Sequence, residues 1–172
     1  MELRHAPRDA AQAAAILRQR AAVLARRAPA PRDDLAQVLE FAVAEQSVAV
    51  ELACVREVRL YRPFAPLPLP QPFVTGIVGL HGRMLPVLDL ALVLGLPATA
   101  APPRHFVVLG AERAAFAVPA GEVHGVRAIA LADAARRAAS LSEGRSELVA
   151  GITPDARLVL DPRQLLALSP AH

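Results

Sequence analysis

From Leu35 onward, apolar and polar positions alternate with a period of two. Leu39, Phe41 and Val43 alternate with Val38, Glu40 and Ala42. Past a turn at Glu45-Gln46, Val48, Val50 and Leu52 alternate with Ala49 and Glu51. Successive side chains on a strand point to opposite faces, so this pattern predicts a β-hairpin. Ala53–Val58 reads as a short turn leading into a further strand toward Tyr61. Five prolines between Arg62 and Pro72 exclude a central strand or helix there and predict an extended connector. Val74–Leu80 and Met84–Leu90 then form two apolar arms around the polar turn His81-Gly82-Arg83.

The same reading carries to the end of the chain. Ala91–Leu96 predicts one or two helical turns ending at Gly95, and Pro97–Arg104 is the clearest internal break. Phe106–Leu109 and Ala114–Val118 predict another hairpin, and Val123–Ile129 a strand. Leu131–Leu141, rich in Ala and Arg, reads either as a loop or as a short helix. Leu148–Ile152 and Leu158–Leu160 form a last hairpin around Thr153-Pro154-Asp155-Ala156. Pro162–Leu168 predicts a terminal helix, with Asp161 as N-cap and proline at the first helical position. Many short strands separated by Gly and Pro turns imply small β-barrels or a sandwich.

The first 34 residues break this pattern. Residues 9–27 hold no helix breaker, and Ala13, Ile16, Leu17, Val23 and Leu24 recur at helical spacing, interrupted by Arg20. The expectation is an Arg-rich helical extension and linker over residues 1–34, followed by the main domain over 35–172. Residues 1–32 carry seven Arg against Glu2 and Asp9, a net of +5; the remaining 12 Arg and 14 acids net −2. The basic character of the chain therefore resides in the extension. Such an arm suits nucleic acid, an anionic membrane, an acidic protein, or simply solvent.

Composition removes several chemistries. All 19 basic residues are Arg, so no Schiff-base or phosphate-loop lysine exists. The single Cys54 forms no internal disulfide and, beside only Arg56, reads as a small core residue; a reducing cytoplasm is the expected setting. No apolar run approaches the ~20 residues that cross a bilayer, and no hydrophobic signal core opens the chain. His5, His81, His105, His124 and His172 have no partner at a metal-ligand spacing, and no Gly-x-Ser-x-Gly elbow or Gly-rich phosphate loop occurs. Asp89, between Leu88 and Leu90, is either a general base or a strand-end carboxylate accepting backbone hydrogen bonds. Neither catalytic residues nor a metal or cofactor are expected, and a body poor in aromatics is not expected to bind nucleic acid.

Four patches, in order, resemble the chemotaxis coupling protein (CheW) family. They are the hairpin Val38–Leu52 with Val55-Arg56-Glu57-Val58; Phe73–Arg83 with Leu85-Pro86-Val87-Leu88-Asp89-Leu90; Phe106–Val118 with Val123–Val126; and Val149–Ile152 with Leu158–Asp161 and Leu165-Leu166. The second is the specific one, and the likeness covers about residues 35–168. The resemblance implies a mainly β fold of two small, intertwined five-stranded SH3-like barrels with short helices. It implies a non-enzymatic cytoplasmic adaptor, recruited to receptor arrays and meeting the membrane only through receptors. Its partners would be a chemoreceptor's cytoplasmic tip and the regulatory domain of a CheA-type histidine kinase. By position it assigns partner contact to Val55, Glu57, Gly76, His81 and Gly82, with Arg83 beside them. Three departures stand out: His81 replaces the family's Arg, Gly79 its Asn, and Val118-Pro119 its acidic Val-Asp segment. Two alternatives remain beside the bridging adaptor. One is a divergent protein that competes for one partner without bridging; the other is an arm that binds anionic surfaces or nucleic acid.

Overall fold

The period-two run beginning at Leu35 folds as strand β1, Leu35–Val43, turned back on β2, Gln46–Glu51. Val43 pairs with Gln46, which leaves Ala44-Glu45 as a two-residue loop with Ala44 at φ +52°. A computed structural model describes residues 35–68, 70–139 and 147–169 of the chain. The helix expected at 9–27, its linker, His5 and His172 lie outside the described residues.

A single 3-10 turn, Leu52–Cys54, leads into β3, Val55–Leu60. The proline-rich connector contributes only β4, the dipeptide Ala65–Pro66, before β5, Val74–Leu80, and β6, Arg83–Leu88. Helix α1, Leu90–Val93, follows, then β7, His105–Leu109, and β8, Phe116–Ala120. The chain returns through β9, Val123–Ala130; α2, Leu131–Ala139; β10, Val149–Ile152; β11, Leu158–Leu160; and α3, Pro162–Ala167. The open choice at Leu131 thus resolves as a helix, and the second arm of the middle hairpin begins two residues later than predicted.

The strands form two sheets. One has the order β10-β11-β2-β1-β9 and the other β3-β7-β8-β6-β5-β4. The first is built from both ends of the domain and the second from its uninterrupted middle, so the chain leaves the first sheet after β2 and returns to it at β9. Most pairings are antiparallel; β11 on β2 and β6 on β8 are parallel, where crossovers replace hairpins. The expected five-plus-five count becomes five-plus-six because β4 adds an edge. Proline is tolerated there since an edge strand has one set of amides that needs no ladder partner.

Alternation places three apolar clusters on the sheet faces. The largest takes Leu39, Phe41 and Val50 from the first sheet and Leu88, Val107, Leu109 and Phe116 from the second. It is a single seam shared by both sheets. The outer face of the second sheet encloses Val78, Leu80, Val87, Phe106 and Val108, capped by Tyr61 and Phe64. Tyr61 stacks on Phe106 at 5.0 Å between ring centroids, and Phe64 meets the same ring edge-on at 6.2 Å. On the outer face of the first sheet, Val38, Ala49 and Val159 pack against Ala134 of α2.

Gly76 and Gly151 permit close approaches that any side chain would block. A Cβ at Gly76 would lie 2.2 Å from the Ala65 carbonyl oxygen and 2.7 Å from the Phe64 ring. A Cβ at Gly151 would lie 2.7 Å from the Ala134 backbone, so the missing side chain is what lets α2 lie on β10. The Asp89 carboxylate accepts from the Ala91 amide at 2.9 Å and the Leu92 amide at 3.4 Å, capping α1. Asp161 does the same for α3 through Arg163 and Gln164. Asp89 is therefore a structural cap, the second of the two roles its sequence context allowed.

Candidate functional site on strand β3 and the β5–β6 turn

The β5–β6 hairpin closes through two residues, His81 and Gly82, between the paired Leu80 and Arg83. Both central residues have positive φ, +50° and +73°, the type I′ pattern that matches the natural twist of a hairpin. Glycine adopts it freely, and histidine is among the side chains that tolerate it better than most. The imidazole is thereby held out from the sheet and exposed.

Strand β3 supplies its neighbours. Val55 pairs with Leu109 and Glu57 with Val108, so Arg56 is a bulged residue. The bulge re-aims the strand, and beyond it Glu57 and Arg59 share one face at the two-residue spacing. The Glu57 carboxylate Oε2 accepts from Arg59 Nε at 2.9 Å and lies 2.9 Å from His81 Nε2. Arg59 Nη2 also lies 2.6 Å from that same imidazole nitrogen.

One nitrogen cannot serve both neighbours in one state. With a proton on Nε2, the ring donates to Glu57 and faces an unfavourable guanidinium N–H. Without it, Nε2 accepts from Arg59 and faces a second acceptor in Glu57. The Arg59–Glu57 bond holds in either state. The hydrogen bond from His81, and next that from Arg59, hold the Glu57 carboxyl below its usual range, partly opposed by desolvation. With the Glu57 side chain one-quarter exposed, solvent screens the pair.

The sequence-predicted residues divide accordingly. Glu57, His81 and Gly82 come together at one corner, with exposed Arg83 on the return strand. Val55 is half-buried and packs toward the shared seam on the other side of the bulge. Gly76 is buried beneath Phe64 and β4, where it lets that edge close on β5 and presents nothing to solvent. Arg59 was missed, although its position two residues after Glu57 on a predicted strand places it on the same face. It returns a guanidinium to the corner where His81 had removed the family's Arg. Leu60 is 78% exposed on the same edge strand, and Glu57, Val58, Arg59, Leu60 and Arg62 line an open groove of about 440 Å³. Arg62 donates to the Gly79 carbonyl, tying the end of β3 to β5.

Other candidates have structural roles. Cys54 is buried, and desolvation, with Glu51 adding to it and Arg56 opposing it, pushes its thiol up, away from a reactive thiolate. Among the described residues no cluster of His, Cys, Asp or Glu fits a metal ion, and no helix is long and apolar enough to cross a membrane.

Comparison with known proteins places this geometry in a family. The model of the CheW-like domain matches residues 37–169. A chemotaxis protein CheW of Rhizobium meliloti (strain 1021) is 32% identical over 73 residues, covering 42% of this chain and 47% of that one. A chemotaxis protein CheW of Thermotoga maritima is 35% identical over 60 residues, covering 35% of this chain and 40% of that one. The chain thus spans about half the length, or less, of the curated relatives it matches. The scaffolding protein TtCheW from Thermoanaerobacter tengcongensis has the same fold, with a TM-score of 0.60 at 20% identity over 73% of this chain and 88% of that one. With its four ordered sequence patches, its two interleaved sheets and a family match spanning most of its length, the chain belongs to the CheW-like domain family.

Proposed function

We propose that the protein is a non-enzymatic cytoplasmic adaptor that couples chemoreceptors to a CheA-type histidine kinase. The observation that carries this reading is the Glu57–His81–Arg59 corner, exposed on an edge strand beside the apolar Val58 and Leu60. An edge strand offers unpaired backbone groups, Leu60 offers apolar area, and the fixed charges set register; together these suit docking of a folded partner. The kinase regulatory domain takes this corner, and the chemoreceptor's cytoplasmic hairpin tip engages a second surface of the same domain. Family membership supports the reading, as do relatives named as chemotaxis proteins. The partner-contact residues are Glu57, Arg59, His81, Gly82 and Arg83, with Val55 supporting the bulge from behind.

Isothermal titration of the full chain with the kinase regulatory domain tests this. Arg59→Ala is expected to weaken binding by about tenfold, as loss of one partner in an interfacial charge cluster does. His81→Arg, which leaves Arg59 in place, is expected to keep or strengthen it. Unchanged affinity in Arg59→Ala and in a Leu60→Ala control would remove the corner from the interface. A protein that captures one partner and never both would be the competing, non-bridging form.

A further inference from the structure

Glu40 lies on β1 with its side chain on the outer face of the first sheet, beside Val38 and Ala49, and is only 2% exposed. Its Oε2 lies 3.3 Å from Arg127 Nε on β9 and 3.3 Å from Arg157 Nε in the turn before β11. Arg157 also pairs with Asp155. Among the described residues, two buried atoms of this group have no hydrogen-bond partner: Oε1 of Glu40 and Nε of Arg157, whose approach to Oε2 is close without being aligned. Both residues line a cavity of about 200 Å³ whose other walls include Ile129, Ala134 and Pro154.

Buried polar groups are almost always satisfied, so an orphan acceptor and an orphan donor in one cavity define what would complete it. A carboxylate oxygen needs a donor, and a guanidinium N–H needs an acceptor. Charge narrows the choice further. Glu40 and Asp155 are already balanced by Arg127 and Arg157, and Asp133, in the first turn of α2, is engaged in an interaction of its own. An added cation would meet two guanidinium groups, and an added anion would meet the carboxylates. We propose that this cavity is a binding site for a neutral primary carboxamide, its NH2 donating to Glu40 Oε1 and its carbonyl accepting from Arg157 Nε. The site uses none of the residues of the β3 corner and stands independently of the coupling function.

Acetamide, acetate and acetamidinium share one skeleton and differ in charge, so they test the proposal on the native full-length chain. Backbone amide shifts of Ala130, Ala134 and Thr153 are followed by NMR as each is added. Acetamide is expected to saturate these shifts at a concentration at least tenfold below either charged analogue. N-acetylglutamine methylamide, set against N-acetylalanine methylamide, separates the sources. Shifts with the first alone assign the group to a glutamine-like side chain of a protein partner; shifts with acetamide and neither peptide assign a free small amide. Equal or tighter binding of acetate or acetamidinium overturns the proposal. So does the absence of saturable shifts with all three, which would mark a cavity that holds only water.

Discussion

At the scale of single residues, Glu57 joins strand β3 to the β5–β6 turn. A carboxyl whose folded pKa lies below its unfolded value adds stability above the unfolded value and loses it as pH falls through the folded one. The Glu57 contribution is therefore fully present above the ordinary glutamate range, ~4.3, and is lost only in more acid solution. Screening limits it to ~1 kcal/mol or less. A carboxyl carbon NMR titration is expected to place Glu57 below ~4.3, and His81→Ala to raise its midpoint, because the first cause of the shift is then removed. A midpoint that His81→Ala leaves unchanged would dissociate the two side chains in solution.

Backbone conformation gives a second residue-scale prediction. Ala44 and Gly82 both sit at positive φ, one with a Cβ and one without. A Cβ at Gly82 would meet nothing within 4 Å, so Gly82→Ala costs only the left-handed conformation, ~1 kcal/mol. Ala44→Gly relieves the same strain, offset by glycine's greater unfolded freedom, and is expected to raise Tm by ~1–3 °C. Opposite signs in thermal unfolding check the pair. At this scale the sequence was informative for His81 and Glu57 because a motif pointed to them. Arg59 and Glu40 were hidden: one lay outside the motif, and the other looked like the polar half of an alternating strand until α2 covered that face.

At the scale of elements, hairpins were legible because period-two alternation and Gly or Pro turns are local signals. Asp161-Pro162 likewise announced α3 through its cap and first-turn proline. The elements that were not legible depend on contacts distant in sequence. Strand β4 is two residues in a proline-rich stretch and exists because Gly76 lets Phe64 and Ala65 approach. Helix α2, which the sequence left open between loop and helix, is held where Ala134 meets Gly151. These approaches predict that Gly76→Ala and Gly151→Ala each destabilise the fold by ~2 kcal/mol or more, beyond Gly82→Ala, since backbone and not a flexible side chain must move. Denaturant midpoints for the three variants give the comparison. A Gly76→Ala protein as stable as Gly82→Ala would mean that β4 does not close on β5 in solution.

At the scale of the whole domain, the shared seam decides cooperativity. Phe41 of the first sheet and Phe116 of the second are both fully buried in one cluster, and the chain crosses between sheets twice. The inner face of neither sheet stays covered without the other. Phe41→Ala is expected to cost ~3–5 kcal/mol and to lower a single unfolding transition seen alike by strand and tertiary probes. Two separated transitions would show the sheets to be independent units. That the chain forms small β-barrels or a sandwich was readable because Gly and Pro turns separate many short strands; the division into two units came with the family resemblance. The interleaving entered with the family resemblance, since alternation alone does not say which strands are neighbours.

The most direct test of the coupling function uses three components: chemoreceptor tip on beads, the kinase regulatory domain in solution, and the full-length chain between them. The kinase domain is expected on the beads only when the chain is added. Charge reversal by Glu57→Arg, which sets two guanidinium groups against each other, is expected to abolish kinase capture while the chain stays on the receptor and keeps its native circular dichroism. Kinase retention without the chain, or undiminished retention with folded Glu57→Arg, would contradict the account.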